Sequence, residues 1–228
     1  RLGEEGFRTL FNRLVELARS QGIVADRLRI VDSTHQLANV DILRANQRQP
    51  RDPDDDDKTV LPGSPDPDAR FGRKTETKKF FGYKHHIGID ADSGLIVAQA
   101  TSGGNIADDD YLMPLAAGPP PQALTADKLY DKPHHHQRLA QKGIQSHIIR
   151  KEASPKPQDS QYRNNCRQRK QIERVFAVLK KYHGGGRARY WGRGRVSVQN
   201  LLTDLVYNLK LLAQVLDPRP GEVCPSTA

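Results

Sequence analysis

The sequence is poor in the residues that define several classes of protein. Its 228 residues include one methionine, one tryptophan and two cysteines, Cys166 and Cys224, which lie far apart. Two isolated cysteines exclude a disulfide framework and a cysteine-based zinc site. The chain has no run of about 18 apolar residues and no apolar signal segment near its N-terminus, which argues against a membrane span and against secretion. We therefore expect a cytoplasmic protein.

Acidic residues are scarce in the last third of the chain. The whole sequence carries 36 Lys and Arg against 27 Asp and Glu, a formal net charge of +9. Residues 161–228 contain thirteen basic residues and four acidic residues, so the entire excess lies there and the first 160 residues are balanced. A cationic segment of this kind favours a polyanionic partner such as nucleic acid.

Helix-like and strand-like apolar periodicities alternate along the chain. Apolar residues recur every three or four positions from residue 4 to residue 20, which predicts an amphipathic helix. Apolar runs at 80–90 and 95–100 flank a turn containing Gly94 and predict a β-hairpin. The other predicted elements are strands at 28–34, 123–127 and 143–149, helices at 133–142, 165–181 and 198–216, and a helix whose acidic start lies at 105–110. This order predicts an α/β fold, with the antiparallel hairpin inside a mixed sheet flanked by helices.

Two polar segments interrupt this pattern. Residues 43–77 are rich in Pro, Asp, Arg and Lys, and no apolar face can be drawn through them, so we expect a mobile loop with a solvated acidic run at 54–57. The tract of His134, His135 and His136 could suggest a metal site. It follows Pro133 at the start of a predicted helix, however, and we expect exposed polar side chains there instead.

Three carboxylates occupy positions that suit phosphodiester chemistry. Asp32 and Asp127 each follow a short apolar strand, and Glu173 is the one acid within the basic helix at 165–181. Asp32 could instead stabilise a turn, and Glu173 could form a simple ion pair with Arg169. If the three converge, they could bind two Mg²⁺ or Mn²⁺ ions, which would act on the attacking and leaving oxygens of a phosphodiester. The surrounding arginines would hold the nucleic-acid backbone.

At these carboxylates the chain resembles the DDE transposases of bacterial insertion sequences, in particular the insertion-sequence-four and -five types. The resemblance covers residues 30–212, and its glutamate signature is Tyr, two residues, Arg, three residues, Glu, six residues, Lys. Arg169, Glu173 and Lys180 match that signature, and Cys166 stands at the Tyr position. The segments that carry the resemblance are I-V-D-S-T, D-P-D-A-R-F-G, F-F-G-Y-K-H-H, G-N-I-A-D, L-T-A-D-K-L-Y-D, R-K-Q-I-E-R-V-F-A-V-L-K and Y-N-L-K-L-L.

The resemblance implies a ribonuclease-H-like catalytic domain, which we expect over 29–216 with the loop at about 44–78. Residues 1–28 would be the helical end of a truncated N-terminal region, and 217–228 a tail. Asp32, Asp127 and Glu173 would be the catalytic metal ligands. Arg169 and Lys180 would contact DNA phosphates, and Tyr190 and Trp191 would either stack on exposed bases or pack against the closing helix. The other expected DNA-binding residues are Arg174, Lys181, Arg187 and Arg189.

The implied reaction is metal-dependent cleavage of a DNA strand at an element end, followed by attack of the 3′-hydroxyl on target DNA. Its partners would be the terminal inverted repeats and the target, bound by a homodimer in a synaptic complex. The sequence leaves two other functions open, namely an inactive DNA-binding remnant and a stand-alone nuclease on the same fold.

Overall fold

The computed structural model describes residues 2–52, 57–74, 77–152, 154–155, 157 and 159–217. The strands are β1 (Leu28–Leu37), β2 (Arg70–Arg73), β3 (Lys79–Asp90), β4 (Ile96–Gly103), β5 (Ala123–Thr125) and β6 (Gln145–Ser146). The helices are α1 (Glu4–Ser20), α2 (Ile42–Arg48), α3 (Leu112–Leu115), α4 (Pro133–Gln141), α5 (Ser160–Gln168), α6 (Lys170–Tyr182) and α7 (Arg193–Leu216). Two 3₁₀ turns lie at Asp108–Tyr111 and Lys128–Tyr130. Among the helices in these ranges, none is long and apolar enough to cross a membrane.

β1 lies in the middle of one mixed six-stranded sheet. It pairs antiparallel with β3 from Arg29 to Leu37 and parallel with β5, which in turn pairs parallel with β6. On the far side of β3, β2 pairs with the first residues of that strand and β4 with the rest. The β3–β4 hairpin confirms the predicted one. A mixed sheet flanked by helices confirms the predicted ribonuclease-H-like α/β fold.

The alternation of side chains along the strands gives the sheet an apolar core on each face. Ile30, Ile87 and Ile89 pack with apolar residues of α1, α6 and α7 on one face. Val31 and Leu124 pack with residues of α3 and α4 on the other face. Each of these five side chains is fully buried, which stabilises the fold by about 1.5–3 kcal/mol per side chain. The helices are therefore fixed on both sides of β1, the strand that carries Asp32.

Buried polar contacts attach the inner face of α7 to the sheet. His85 Nε2 on β3 lies 3.0 Å from Asp204 Oδ2, and both side chains are buried. Further along the helix, the Asn208 side chain bonds both the N–H and the C=O of Ile96 on β4, at 2.9 and 2.7 Å. These contacts fix the rotation of α7 about its axis, and so decide which of its side chains point outward.

Several predicted boundaries differ from the structure. The segment predicted to be a loop, 43–77, contains regular structure. It includes most of α2 and all of β2, and Leu61 and Asp66 between these two elements are buried. Residues 54–56 of the acidic run and residues 218–228 of the predicted tail lie outside the described residues. The predicted strand at 143–149 shortens to β6, although backbone hydrogen bonds from His147 and Ile149 continue toward β5.

Candidate functional site

Asp32 lies in the middle of β1 and not at its end, which corrects the sequence-based expectation. The strand continues to Leu37 because β3 supplies antiparallel partners along its whole length. Asp32 Oδ1 accepts a hydrogen bond from the Ser33 N–H at 2.8 Å, and Oδ2 accepts one from Arg169 Nη1 at 3.2 Å. The Asp32 side chain is 21% exposed, so it remains accessible from one side.

The carboxyl of Asp32 has a pKa raised to about 6. Burial is the main cause, because it penalises the charged form. The Ser33 N–H and the Arg169 guanidinium lower this pKa, whereas the charges of Asp127 and Asp108 raise it. The raised pKa therefore indicates a largely buried acid with other acids nearby. A divalent cation bound there would offset the repulsion between these negative charges.

Arg169 joins Asp32 to Glu173. Its Nη2 donates to Glu173 Oε1 at 2.9 Å while its Nη1 contacts Asp32, so a single guanidinium spans two carboxylates from different elements. Sequence periodicity predicts one helix over 165–181, but the structure divides that helix at Arg169 into α5 and α6. There the Ile172 N–H bonds the Arg169 carbonyl at 3.2 Å, a tight i to i+3 turn. The Glu173 side chain is 60% exposed, so it can exchange partners freely.

Asp127 follows β5 and approaches Asp32 from the neighbouring strand. The parallel pairing of β1 with β5 ends at Ile30 and Thr125, so Asp32 and Asp127 each lie two residues beyond the last pair. Asp127 Oδ1 accepts the Lys128 N–H at 2.7 Å, which fixes the turn after β5. The structure thus brings Asp32 and Glu173 to one guanidinium and sets the Asp127 charge within electrostatic reach of Asp32.

Asp108 is a fourth acid near the site that sequence reasoning missed. Lys84 Nζ on β3 contacts Asp108 Oδ1 and the Ile106 carbonyl, both at 2.8 Å. The Tyr130 hydroxyl is buried with no hydrogen-bond partner among the described residues, and burial together with the charges of four acids raises its pKa. Those acids are Asp32, Asp108, Asp109 and Asp127. The G-N-I-A-D motif was the available signal, but its acids were interpreted only as the start of a helix.

The prediction that the histidine tract is exposed holds for His134 but is wrong for His135. His135 is buried, and its Nε2 lies 3.2 Å from Asp109 Oδ2, which also bonds the Lys132 ammonium. His134, His135 and Asp109 bring one potential ligand atom each within 4.8 Å of one another, so they could hold a metal ion. His135 is buried because α4 packs against α3, the helix that directly follows the 3₁₀ turn carrying Asp109, and local composition does not reveal this long-range contact.

The cationic loop after α6 docks on the strand that carries Asp32. The Leu37 N–H bonds the Gly186 carbonyl at 3.0 Å, and the Ala188 N–H bonds the Leu37 carbonyl at 2.7 Å. Lys180 is half-buried near Lys74, and burial followed by that like charge lowers its pKa. The exposed members of the predicted DNA-binding set are Arg174, Lys181, Arg187, Arg189, Tyr190 and Trp191. Exposed basic side chains therefore lie on α6, the helix that carries Glu173, and on the loop that pairs with the end of β1. The Trp191 indole N–H donates to the Asn39 carbonyl at 3.0 Å.

Cys166, at the position of the signature tyrosine, lies on α5 and is a half-buried free thiol. Its Sγ lies 3.4 Å from the His147 carbonyl. Burial raises the pKa of the thiol. These features favour a packing role and not that of a reactive nucleophile.

Most of the chain is similar in sequence to known proteins. A family model described as a transposase DDE domain matches residues 25–209, a range that contains Asp32, Asp127 and Glu173. The transposase for insertion sequence element IS1106 from Neisseria meningitidis serogroup B is 28% identical to the chain over 208 residues. That alignment covers 87% of this chain and 71% of the relative.

Proposed function

We propose that this chain, which belongs to the transposase DDE domain family, cleaves DNA strands at the ends of a mobile element and joins the 3′-hydroxyl to target DNA. The observation that carries the proposal is the contact of one guanidinium, Arg169, with both Asp32 and Glu173 beside the charge of Asp127. Two acids from separate elements share one guanidinium and the charge of a third acts on the first, and such an arrangement would suit a phosphodiester substrate.

The donor set fits hard divalent cations. Asp32, Asp127 and Glu173 offer only carboxylate oxygens, which Mg²⁺ and Mn²⁺ prefer. Two bound ions would supply Lewis-acid activation of the attacking oxygen and charge stabilisation at the leaving oxygen. The raised pKa of Asp32 supports this fit, because a carboxylate crowded by other acids gains from a nearby positive charge.

The side chains of the protein have distinct roles in this proposal. Arg169 holds Asp32 and Glu173 in place before cations bind, and a phosphate oxygen of DNA would then compete for its guanidinium. Asp32 must lose its proton to bind a cation, so activity should rise as the pH increases through about 6. Lys84 holds Asp108 beside the site, where its charge acts on Asp32 without a direct contact.

DNA would lie across the exposed basic side chains of α6 and the loop that follows it. Arg174 is one residue beyond Glu173, and Arg187 lies in the loop that pairs with the end of β1. Contacts of this kind with phosphates would position the strand but carry no sequence information. We expect two copies of the chain to act together, because an element has two ends.

A cleavage and joining assay tests the proposal. The substrate is DNA carrying the inverted repeats that flank the gene, incubated with Mg²⁺ or Mn²⁺ and a target plasmid. Wild-type protein should nick at the repeat ends and produce joined products, and Asp127→Ala should abolish both while retaining DNA binding. Cleavage without joining would identify a nuclease, DNA binding without cleavage would identify an inactive remnant, and undiminished cleavage by Asp127→Ala would refute the site.

A further inference from the structure

Asp109, His134 and His135 form a cluster of metal-ligating side chains that is separate from the three carboxylates of the candidate catalytic site. Each residue offers one ligand atom, and these atoms lie within 4.8 Å of one another. Asp109 and His135 are 8% and 3% exposed, whereas His134 is exposed in the first turn of α4. The cluster is therefore enclosed by protein on one side and open to solvent on the other, so an ion can enter it without unfolding of the chain.

The contact between Asp109 and His135 has the spacing of two ligands of one metal ion. Asp109 Oδ2 and His135 Nε2 are 3.2 Å apart. Two ligand atoms of a tetrahedral ion with bonds of about 2.0–2.1 Å are about 3.3–3.4 Å apart. The ring centroids of His134 and His135 are 4.1 Å apart, so the second imidazole is also close. Rotation of the exposed His134 side chain would complete three protein ligands and leave a fourth position for water.

A positive group already lies beside Asp109. The Lys132 ammonium pairs with Asp109 Oδ2, the same oxygen that contacts His135. The Lys132 side chain is 41% exposed, so it can move into solvent when a dication replaces it. His135 Nδ1 is buried and has no hydrogen-bond partner in the part of the chain that the structure describes. The cluster thus combines a carboxylate that already holds a cation with an imidazole that the protein uses at one nitrogen.

The donor atoms determine which class of ion suits this cluster. Imidazole nitrogens suit Zn²⁺ and Ni²⁺, whereas Mg²⁺ prefers a set of oxygen ligands. Asp32, Asp127 and Glu173 offer oxygens only, and the cluster on α4 offers two imidazoles and one carboxylate. The two sets of side chains should therefore select different ions.

We propose that Asp109, His134 and His135 bind one transition-metal dication of the Zn²⁺ type, which displaces Lys132 and fastens α4 to the 3₁₀ turn at Asp108–Tyr111. That turn also carries Asp108, and α4 follows closely after Asp127 in the chain. The bound ion would hold together two segments that border the candidate catalytic site. This inference goes beyond the proposed function and does not depend on it.

The test is a titration of the full chain with Co²⁺, which substitutes for Zn²⁺ and reports its ligands through visible absorption. The protein carries no affinity tag, is stripped of metal with a chelator and is then held in excess Mg²⁺, which occupies sites made of oxygen ligands. Wild-type protein should bind a single Co²⁺ with the absorption of a site that contains imidazole, and Zn²⁺ should displace it. The bound ion should also raise the midpoint of thermal unfolding.

Four variants locate the ion. His134→Gln and Asp109→Asn should each weaken Co²⁺ binding by at least about tenfold, since even groups that only support a ligand contribute that much. Lys132→Gln should strengthen binding severalfold, because it removes the ammonium that competes for Asp109. His183→Gln is the matched control, since His183 lies at the end of α6 outside the cluster and its replacement should leave the affinity unchanged.

His134 is exposed, so His134→Gln tests the site without disturbing the core, and circular dichroism verifies that every variant is folded. Absence of Co²⁺ binding by the wild-type protein in excess Mg²⁺ would overturn the proposal, and so would binding that His134→Gln leaves unchanged. An affinity that Lys132→Gln does not raise would contradict it as well, because the ion would then not replace the ammonium on Asp109. None of these measurements uses DNA, so failure of this site and failure of the catalytic assignment are distinguishable.

Discussion

Replacing Asp32 with asparagine should stabilise the metal-free protein at neutral pH. The rise in the Asp32 pKa from 3.8 to about 6 corresponds to about 3 kcal/mol of unfavourable interaction of the charged form. Because the Asp32 side chain is still 21% exposed, screening by solvent reduces this unfavourable interaction. We expect Asp32→Asn to increase the free energy of unfolding by about 1–2 kcal/mol. For a chain of this length that gain raises the midpoint of thermal unfolding by about 2–8 °C.

The pH dependence gives this prediction its sign. The folded chain holds the Asp32 proton more tightly than the unfolded chain, so wild-type stability falls as the pH rises from about 4 to about 6. The free energy of unfolding of Asp32→Asn should therefore exceed that of wild type by an amount that increases over that pH range and remains constant above it. Thermal and urea unfolding with a chelator present, between pH 4 and pH 8, measure this difference.

Glu173→Gln is the matched control for Asp32→Asn, because it makes the same chemical change at a carboxylate that is 60% exposed. Its stability should differ little from that of wild type. Two results would refute this reasoning. One is that Asp32→Asn is less stable than wild type at pH 7, and the other is that its gain in unfolding free energy does not change between pH 4 and pH 6. Either would show that the Asp32 carboxylate is not in an unfavourable environment.

Two further predictions concern the basic surface and the attachment of α7. Arg187→Ala should weaken binding to DNA of any sequence and reduce the slope of log affinity against log salt by about one, as seen in titrations at several salt concentrations. Arg13→Ala on α1 removes the same charge from an exposed position outside the basic surface. An equal loss of DNA affinity in this variant would show that the total charge, and not its location, determines binding. Asp204→Ala should destabilise the fold by about 3–5 kcal/mol, since it leaves His85 buried without its partner. Urea unfolding checks this, and a loss below about 1 kcal/mol would contradict it.

Local patterns in the sequence were sufficient for much of the fold. The 3.6-residue period gives α1 with its bounds, and two apolar runs around a glycine turn give the β3–β4 hairpin. Both depend on contacts between residues close in sequence. The interruption at Arg169 was not predictable in this way, because the periodicity of 165–181 is continuous and the contact with Asp32 spans 137 positions.

The parts of the candidate site that sequence reasoning missed depend on long-range packing. Lys84 reaches Asp108 across 24 residues, and His135 reaches Asp109 across 26. Nothing in the composition of either segment distinguishes these side chains from solvated ones. Asp32 was identified for its chemistry but placed at a strand end, because the pairing with β3 that extends β1 to Leu37 involves residues more than forty positions away.

The most direct test of the central claim is Mn²⁺ binding followed by electron paramagnetic resonance, with the wild-type protein compared with Asp127→Asn. Asp127 is the informative residue because, among the described residues, its carboxylate accepts a hydrogen bond from the Lys128 N–H and shares no guanidinium with Asp32 and Glu173, so a shared cation is what would unite all three. Glu16→Gln serves as the control, since Glu16 is an exposed carboxylate on α1, outside the candidate site and outside the cluster of Asp109, His134 and His135. We predict that Asp127→Asn loses bound Mn²⁺ while Glu16→Gln retains it. Full Mn²⁺ binding by Asp127→Asn would contradict the assignment of the three carboxylates to one site.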